Sequence, residues 1–304
     1  MIHINGGAEL ERLKLESIRR ESIESTFNVI AKRGDLTRAE LAKATGLSLM
    51  TIGKSVELLE RNLALMSYKK PTESPGRKSA VCSLNKNCVM LIYDLSAAPN
   101  RLYIRDLTLG GVAEYDFDPE NPIETEMTAF VEYLSERNVI GTACVVPDNN
   151  GDIASGFTDK LGRLPELVVS RTAARAIAHD SSNEVETGVY IFIENESKTD
   201  GAIVRNGRVI VGDHGDAVRV DHLIELLGSL DVSIAAISMV IDPGLIHIEF
   251  GAGEQQNADR LRDNLTRLID KSKCEIVVCA IPSGSETAEG AARLLRDQWV
   301  RGLK

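Results

Sequence analysis

Near the N-terminus, two helix-start signals stand on either side of a single glycine, and this pattern restricts the fold more than any other part of the chain. Residues 37–40 read Thr-Arg-Ala-Glu, a capping box in which a hydroxyl and a carboxylate satisfy the first free amides of a helix. That helix is predicted over residues 38–45, Gly46 ends it, and Ser48 caps a further helix that runs to about Asn62. Two helices separated by a short turn that contains a glycine are the arrangement of a helix-turn-helix.

An earlier helix is predicted over residues 15–32, because Ile23, Phe27 and Ile30 recur at helical spacing. The three helices and their connections carry apolar side chains that can share one core: Leu36, Leu41, Ala42, Leu47, Ile52, Val56 and Leu59. This core leaves the N-terminal turns of the third helix on an open face, where they could enter a major groove of DNA.

Two predicted strands follow the helices, at residues 63–68 and 79–84. The segment between them, residues 69–78, reads Lys-Lys-Pro-Thr-Glu-Ser-Pro-Gly-Arg-Lys and carries four positive charges. Directly after a helix-turn-helix, such a hairpin is a wing, which can lie along a phosphate backbone or enter a minor groove. Taken alone, the same charge run would equally describe a solvated basic loop.

Side chains on the open helix face and in the wing are the predicted DNA contacts. Lys54 could reach guanine acceptors or a phosphate, and Thr51 a phosphate or a base. Leu49 and Met50 could touch a thymine methyl group, or they could instead pack on a neighbouring domain. The full predicted set is Thr37, Arg38, Ser48, Leu49, Met50, Thr51, Lys54, Ser55, Lys69, Lys70, Arg77 and Lys78.

The charge of the chain supports a nucleic-acid contact only in this N-terminal part. Residues 1–80 contain 14 Lys and Arg against 10 Asp and Glu, a balance of +4, whereas the remainder carries −14, for a net charge of −10. A mildly basic head on an acidic body places any contact with a polyanion in the head.

Length and composition exclude several other classes of protein. The chain has 304 residues, roughly enough for two domains, and its 43% apolar and 26% charged residues exclude global disorder. The five cysteines include no CxxC pair, as is typical of a reduced cytoplasmic protein without disulfides. The N-terminus has no signal-peptide core and no apolar run is long enough to span a bilayer, so we expect a cytoplasmic protein without a membrane partner.

From Val89 onward, short apolar strands alternate with amphipathic helices, which predicts a sheet with helices packed on its faces. The predicted strands are residues 89–95, 102–106, 141–146, 189–193, 202–204, 245–250 and 275–280. The predicted helices are residues 123–137, 164–178, 223–241, 257–271 and 286–300. The one obvious linker is the polar segment 85–87, so we predict a DNA-binding domain at residues 1–85 and a second domain at residues 86–304.

Several short motifs resemble the ROK family, which joins sugar kinases to sugar-responsive transcriptional repressors. In the head these are Ile18-Arg19, Thr37-Arg38-Ala39-Glu40-Leu41-Ala42, Thr45-Gly46-Leu47-Ser48, and Gly76-Arg77-Lys78 followed by Leu84-Asn85. In the body they are Asn206-Gly207-Arg208, Gly212, His214-Gly215, Asp242-Pro243 with residues 246–253, and Gly290-Ala291-Ala292. The resemblance implies an α/β chain in which an N-terminal winged helix-turn-helix precedes a two-lobed, actin-like or ribonuclease-H-like domain of ROK type.

The chain departs from the family's kinases at the positions where the resemblance would place phosphate chemistry. The family's Asp-Xaa-Gly-Xaa-Thr loop, whose glycines let amides approach ATP, is replaced by residues 94–100, which lack glycine and contain Pro99. The family's catalytic Asn-Asp pair maps onto Ser170 and Arg171, and an arginine cannot act as a general base. A second phosphate turn is reduced to Asp200-Gly201. We therefore expect no enzymatic activity and no cofactor.

The family's sugar and zinc motifs are eroded in the same way. Its Glu-Xaa-Gly-His sugar clamp maps onto residues 219–222, where only the histidine matches, and its cysteine-rich zinc segment is absent. No bound metal is expected. The residues left as candidates for contact with a sugar-like effector are Ser170, Arg171, Arg219 and His222.

Together these observations predict a transcriptional regulator, of the repressor type, whose head binds a double-stranded DNA operator. A single winged helix offers few contacts, so the body is expected to form a homodimer, or a tetramer, that sets the spacing of two half-sites. Two alternatives stay open: an active ATP-dependent sugar kinase with a fused DNA-binding head, and an effector-free platform for dimerisation or protein docking.

Overall fold

The computed structural model describes residues 6–69, 80–148, 151–180, 185–195, 198–211, 220–251, 255–270, 273–280 and 285–303. Within these residues the chain forms one small sheet of three strands in the N-terminal head and two sheets of five strands in the body.

The head consists of three helices and the small antiparallel sheet. The helices are α1 (Gly6–Arg33), α2 (Arg38–Thr45) and α3 (Leu49–Arg61). The strands are β1 (Leu36–Thr37), β2 (Leu65–Lys69) and β3 (Ala80–Leu84), in the order β1-β3-β2. The predicted helix-turn-helix and the two predicted strands are confirmed. The strand β1 was not predicted, because its two residues become a strand only through their pairing with β3.

Local capping explains why α2 and α3 begin and end where the sequence predicts. The hydroxyl of Thr37 accepts a hydrogen bond from the Glu40 amide at 3.3 Å, and the Glu40 carboxylate accepts one from the Thr37 amide at 2.7 Å. Gly46 ends α2 in the left-handed region, with φ of 72°. Ser48 then starts α3 by accepting a hydrogen bond from the Thr51 amide at 3.1 Å.

The body contains two sheets with the same strand topology. The first sheet is formed by β4 (Cys88–Asp94), β5 (Arg101–Asp106), β6 (Gly111–Asp116), β7 (Asn138–Val146) and β8 (Leu167–Ser170), in the order β6-β5-β4-β7-β8. The second sheet is formed by β9 (Thr187–Asn195), β10 (Lys198–Arg205), β11 (Arg208–Ile210), β12 (Leu245–Phe250) and β13 (Glu275–Ala280), in the order β11-β10-β9-β12-β13.

In each sheet the first three strands form an antiparallel meander, and the first strand then pairs in parallel with the fourth, which pairs in parallel with the fifth. This repeated arrangement is the two-lobed, ribonuclease-H-like architecture that the resemblance implies. The α/β fold class is therefore confirmed. We refer to each sheet with the helices that pack on it as a lobe.

The helices of the body lie on the faces of the two sheets. They are α4 (Pro122–Ala129), α5 (Gly151–Leu161), α6 (Arg171–Asp180), α7 (Val220–Leu227), α8 (Leu230–Ile241), α9 (Gln255–Leu268) and α10 (Glu286–Gly302). A π-helical segment at Phe130–Leu134 continues α4. Helices α6 and α10 pack against each other, α10 onto the first sheet and α6 onto the second.

Two of the predicted helices are wrong in part. The stretch predicted as a helix over residues 164–178 begins instead with β8, because Val168 and Val169 pair with Cys144 and Val145 of β7. The stretch predicted over residues 223–241 is interrupted at Gly228, whose φ of 73° ends α7 before α8 starts. The elements β6, β8, β11 and α5 were not predicted at all.

Among the described residues, no single helix is long and apolar enough to cross a membrane. The helices α7 and α8 would satisfy that test only when taken together, and they are bent by 115° at their junction.

The last turns of α10 attach the head to the body. Val300 is buried in the same apolar cluster as Phe27 and Ile30 of α1. The guanidinium of Arg296 is buried, lies 5.5 Å from the centre of the Phe27 ring and donates a hydrogen bond to the Leu107 carbonyl at 3.1 Å. The head and the final helix of the body therefore share one core, so a change in the position of α10 would act directly on α1.

Candidate nucleic-acid interface and lobe junction

The helix α3 has one buried face and an open surface at its N-terminal turns. Ile52, Val56 and Leu59 are fully buried against the rest of the head. In contrast, Leu49 and Met50 are 61% and 73% exposed, and Lys54 is also exposed. The start of α3 thus presents two apolar side chains and a cation to the surroundings, which is the surface that a recognition helix offers to base edges and phosphates.

The hydroxyl groups of Ser48 and Thr51 form the N-terminal cap of α3. The Ser48 hydroxyl accepts the Thr51 amide and lies 2.9 Å from the Thr51 hydroxyl. Ser48 is exposed and Thr51 is half-buried. Because the first amides of a helix carry partial positive charge, this end of α3 also favours a nearby phosphate.

Ser55 lines the same groove as Met50 and Lys54 but is nearly buried, so its role as a DNA contact stays a prediction that its low exposure does not favour. Its side chain is only 4% exposed. The reason is helical geometry, since Ser55 lies three residues after Ile52 and four before Leu59, on the face that packs into the head. This spacing was visible in the sequence.

The neighbour of the open surface is α1, and α1 does not cover it. Met50 and Lys54 line a groove of about 640 Å³ together with Leu15, Ile18 and Arg19 of α1. Leu15 and Ile18 are themselves exposed. The alternative that Leu49 and Met50 are buried on a neighbouring domain is therefore not realised within the described part of the chain.

The other predicted contacts in the head have different surroundings. Thr37 is occupied by its capping box, and its hydroxyl also donates to the Glu40 carboxylate at 2.7 Å. Arg38 is partly exposed and lies 4.0 Å from Glu60, towards the C-terminal end of α3. Lys69 is exposed at the end of β2. The wing residues Lys70, Arg77 and Lys78 lie outside the described residues, so their predicted role stays a prediction.

The base of the wing is tied to the helices by Tyr68 of β2. Its hydroxyl donates a hydrogen bond to the carboxylate of Asp35, in the turn between α1 and α2. This hydrogen bond raises the pKa of the Tyr68 phenol above its ordinary value. The hairpin therefore starts from a defined position beside the helix-turn-helix.

At the junction of the two lobes, the loop after β4 is held by hydrogen bonds between its own residues. Asp94 is buried and accepts hydrogen bonds from the amide and the hydroxyl of Ser96, at 2.9 and 2.6 Å. Burial raises the pKa of Asp94, while the Ser96 hydrogen bonds and the charge of Arg171 act in the opposite direction. The amide of Ser96 thus donates to the chain's own carboxylate, in the loop where the sequence resemblance would place a phosphate.

The side chains at the start of α6 are also engaged within the protein. Arg171 forms an ion pair with Glu194 of β9, which links the two lobes. Ser170 accepts a hydrogen bond from the Ala173 amide at 3.2 Å and so caps α6. Thr172 donates its hydroxyl to Asp148 at 2.8 Å. A guanidinium therefore occupies the position where the resemblance places a catalytic carboxylate.

The remaining effector candidates are not gathered at this junction. His222 is exposed on α7. Arg219 lies outside the described residues. Ser170 lines a crevice of about 420 Å³ with Arg208, Asp297 and Arg301 among others, and neither Arg171 nor His222 lines it. The predicted effector contacts thus stay predictions.

A buried polar cluster, which sequence reasoning did not find, lies between α6 and the second sheet. Glu249 of β12 is fully buried and pairs with the guanidinium of Arg175, and its other oxygen lies 2.6 Å from Nε2 of His179 and 3.3 Å from Nε2 of His247. The rings of His179 and His247 stack with centres 4.4 Å apart. Cys279 of β13 lies beside them, with its sulfur 3.5 Å from Nε2 of His247.

The ionisation of this cluster follows from its contacts. Burial raises the pKa of Glu249, but hydrogen bonds from His179 and His247 and the charges of His179 and Arg175 outweigh it and lower the pKa to about 2. Burial lowers the pKa of His179, yet its contact with Glu249 and the charges of Glu249 and Glu286 raise it above the ordinary value. The one sequence signal was His247 and Glu249 at strand spacing within an apolar run.

No protein-family model matches the chain, and no curated protein sequence matches it either. Its structure is similar to the crystal structure of a ROK family transcriptional regulator, a homolog of the E. coli MLC protein. The TM-score is 0.65 and the identity 15%, over 94% of this chain and 98% of that chain. It is also similar to a ROK hexokinase from Thermus thermophilus, with a TM-score of 0.50 and 13% identity, over 67% of this chain and 96% of the hexokinase.

At these identities the similarity shows the fold. The chain has the fold of a ROK family transcriptional regulator, and the match over 94% of its length must include most of the head.

Proposed function

We propose that this chain is a DNA-binding transcriptional regulator, of the repressor type, and that its body does not transfer phosphate. One observation carries the proposal: the second helix of a helix-turn-helix leaves Leu49, Met50 and Lys54 exposed on its first turns, beside a hairpin. The basic balance of the head and the acidic balance of the body agree with a DNA contact at this end. The similar regulator supports the same role, since its likeness extends over the head as well as the body.

The experiment that tests the proposal is genome-wide footprinting with the purified full chain, followed by binding assays on the recovered sites. The expected result is a shared sequence with two related half-sites, about 10 base pairs or a multiple apart, because a dimer places its two heads on one side of the duplex. Binding without any sequence preference at physiological salt would contradict the proposal.

Lys54→Ala is expected to weaken binding to the recovered site by about 1–3 kcal/mol if Lys54 contacts a base, and to relax the preference at one position. A uniform loss on all sequences would assign Lys54 to a phosphate instead. Lys273→Ala is the matched control, because it removes the same charge from an exposed position in the second lobe. If both variants bound the recovered site as tightly as the unchanged chain does, α3 would not be part of the DNA interface.

We expect the purified chain to show no sugar-dependent ATP turnover. The support is local: Arg171 is held by Glu194, and the loop after β4 turns a backbone amide inward to Asp94. The measurement is ATP consumption with a panel of hexoses, with a ROK hexokinase as the positive control. A turnover that disappears in Asp94→Asn would contradict the expectation, because that variant separates the chain's own activity from a contaminating kinase.

A further inference from the structure

The helix α8 is apolar on all of its sides, although the described part of the chain leaves one side uncovered. Residues 232–241 read Val-Ser-Ile-Ala-Ala-Ile-Ser-Met-Val-Ile and contain no charged residue. Ile234, Ala235 and Ile237 are buried in the core of the second lobe. A helix that is apolar all round is normally buried on every side, so the uncovered side of α8 indicates a partner.

The uncovered side of α8 is a row of four residues, which we call the α8 stripe. It consists of Val232, Ala236, Met239 and Val240. Val232, Met239 and Val240 are 44%, 76% and 82% exposed, and Ala236 is half-buried between them. Residues at i, i+4, i+7 and i+8 lie on one face of a helix, so the four side chains form one continuous apolar surface.

The neighbouring helix α9 has the charged face that is typical of a helix in contact with water. Its exposed positions include Asp259, Asp263 and Arg267. The α8 stripe has no charge within it, and Asp231 and Asp242 stand only at its two ends. A second apolar face could therefore cover the stripe without the burial of an unpaired charge, which is costly.

We propose that the α8 stripe binds the α8 stripe of a second copy of this chain, with the two helices antiparallel across a two-fold axis at Ala236. Val232 and Val240 stand one helical turn before and one turn after Ala236. An axis at Ala236 therefore places Val232 against the partner's Val240, and the same contact recurs by symmetry. Ala236 has the smallest side chain of the stripe, so the two helices can approach closely where they cross. Rows of residues four apart can interdigitate there at about 50°, the commonest packing of two helices.

The exposed apolar area is of the order that such a dimer needs. Leu226, which is 80% exposed, and Leu227 end α7 directly before the turn into α8 and add to this area. An aliphatic side chain of this size offers roughly 60–120 Å², so α7 and α8 together supply roughly 200–400 Å² of apolar surface per copy. A standard interface covers about 800 Å² per partner, of which about a third or more is polar. The two helices thus supply roughly half or more of its apolar part.

A second exposed apolar face, on α4 and its π-helical continuation, does not suit self-association. Ile123, Met127 and Val131 are exposed there, but the exposed carboxylates of Glu124 and Glu132 stand among them. Two copies joined through this face would bring like charges together, which is unfavourable. The α8 stripe is therefore the face that suits a second copy.

The α8 interface does not depend on DNA binding, but it deepens the proposed function because it names the partner that brings a second head. The α8 helix belongs to the core of the second lobe, whereas the head shares its core with α10. Both heads could then contact one operator. This last step rests on the proposed function, and the dimer itself is measured without DNA.

The first test is sedimentation equilibrium of the full chain without DNA, over a range of micromolar concentrations. The unchanged chain is expected to have at least twice the mass of one copy, and Val240→Glu is expected to halve that mass. Val240 is exposed, so the new carboxylate is solvated in the single copy and would be buried unpaired in the dimer. It should weaken self-association by at least about 100-fold. Met127→Glu is the matched control, because it makes the same kind of change on the exposed face of α4.

The second test places a cysteine at the axis. A disulfide joins two residues whose Cα atoms lie within about 7 Å, and a residue on the axis meets its own counterpart. Ala236→Cys, a small change in volume, is therefore expected to form a covalent dimer under mild oxidation, and Met127→Cys is not. Cys82, Cys88, Cys144 and Cys274 are buried, so the unchanged chain is expected to give little background.

The proposal is overturned if the full chain has the mass of one copy at every concentration, or if Val240→Glu self-associates as strongly as Met127→Glu. It is also overturned if Ala236→Cys forms no more covalent dimer than Met127→Cys does. Equal melting temperatures of the two glutamate variants would show that neither has unfolded. A dimer that binds no DNA would contradict the proposed function and leave the α8 interface standing, whereas a single copy that protects one half-site would do the reverse.

Discussion

Gly290→Ala is expected to lower the free energy of unfolding by at least about 3 kcal/mol, a cost that only severe overpacking reaches. A Cβ atom at Gly290 would lie 1.7 Å from the carbonyl oxygen of Ala174 and 2.6 Å from its carbonyl carbon. These are backbone atoms of α6, which cannot rotate away as a side chain can. The helices α6 and α10 would have to separate, and the apolar contacts of Ala291 and Leu295 around that point would be lost.

The matched control for this variant is Gly302→Ala, in the last turn of the same helix. A Cβ there meets no atom within 4 Å, so its effect is expected to stay within about 0.5 kcal/mol. Urea unfolding followed by circular dichroism measures both variants. If Gly290→Ala proved as stable as Gly302→Ala, the close approach of α6 and α10 would be refuted.

Arg175→Leu is expected to destabilise the chain by about 3–5 kcal/mol at neutral pH, the range measured when one partner of a buried ion pair is removed. Arg175 is 4% exposed and Glu249 is fully buried, so water cannot replace the lost guanidinium. The control is Arg101→Leu, which breaks the exposed pair between Arg101 and Asp116 at 3.0 Å. That pair is expected to contribute less than about 1 kcal/mol.

The pH dependence of Arg175→Leu separates a lost charge pair from lost packing. In the unchanged chain the pKa of Glu249 is about 2 when folded and 4.5 unfolded, so its ionised form stabilises the fold above pH 4.5, and this stabilisation is lost as the pH falls towards 2. Without Arg175 the folded pKa of Glu249 rises, so the deficit of the variant should shrink once the pH falls below that raised value, and it should approach the packing contribution alone near pH 2. A deficit that stays constant from pH 7 down to about pH 2 would mean that packing alone was lost.

In the unchanged chain, the stabilisation by His179 depends on pH in the opposite direction to that by Glu249. Its folded pKa is raised above 6.5, so its stabilising contact is complete below pH 6.5 and is lost as the pH rises through the folded value. The contacts of Glu249 and His179 should therefore stabilise the fold most strongly between about pH 4.5 and 6.5.

The helices α2 and α3 could be predicted almost to the residue because their signals are local, whereas α1 begins at Gly6 and not at residue 15. A capping box acts across three residues and a left-handed glycine acts at one, so the bounds of α2 and α3 follow from the sequence alone. The strands β12 and β13 were predicted for a related reason, since unbroken apolar runs of that length are typical of buried strands. Once the core residues of α3 are assigned from their helical spacing, the remaining residues of its first turns are predicted to be exposed. Ser55 is the exception, because the same spacing places it on the buried side.

What the sequence by itself determined is thus the helix-turn-helix, the α/β class and the absence of the family's glycine-rich phosphate loop. The strand β8 was decided by tertiary structure, because Val168 and Val169 become a strand only beside β7. So were the ion pair of Arg171 with Glu194 and the convergence of Arg175 with Glu249, which stand 74 positions apart. Such contacts depend on the parallel register of β9 and β12 and on the path of α6 over them, and no pattern within a few residues encodes either.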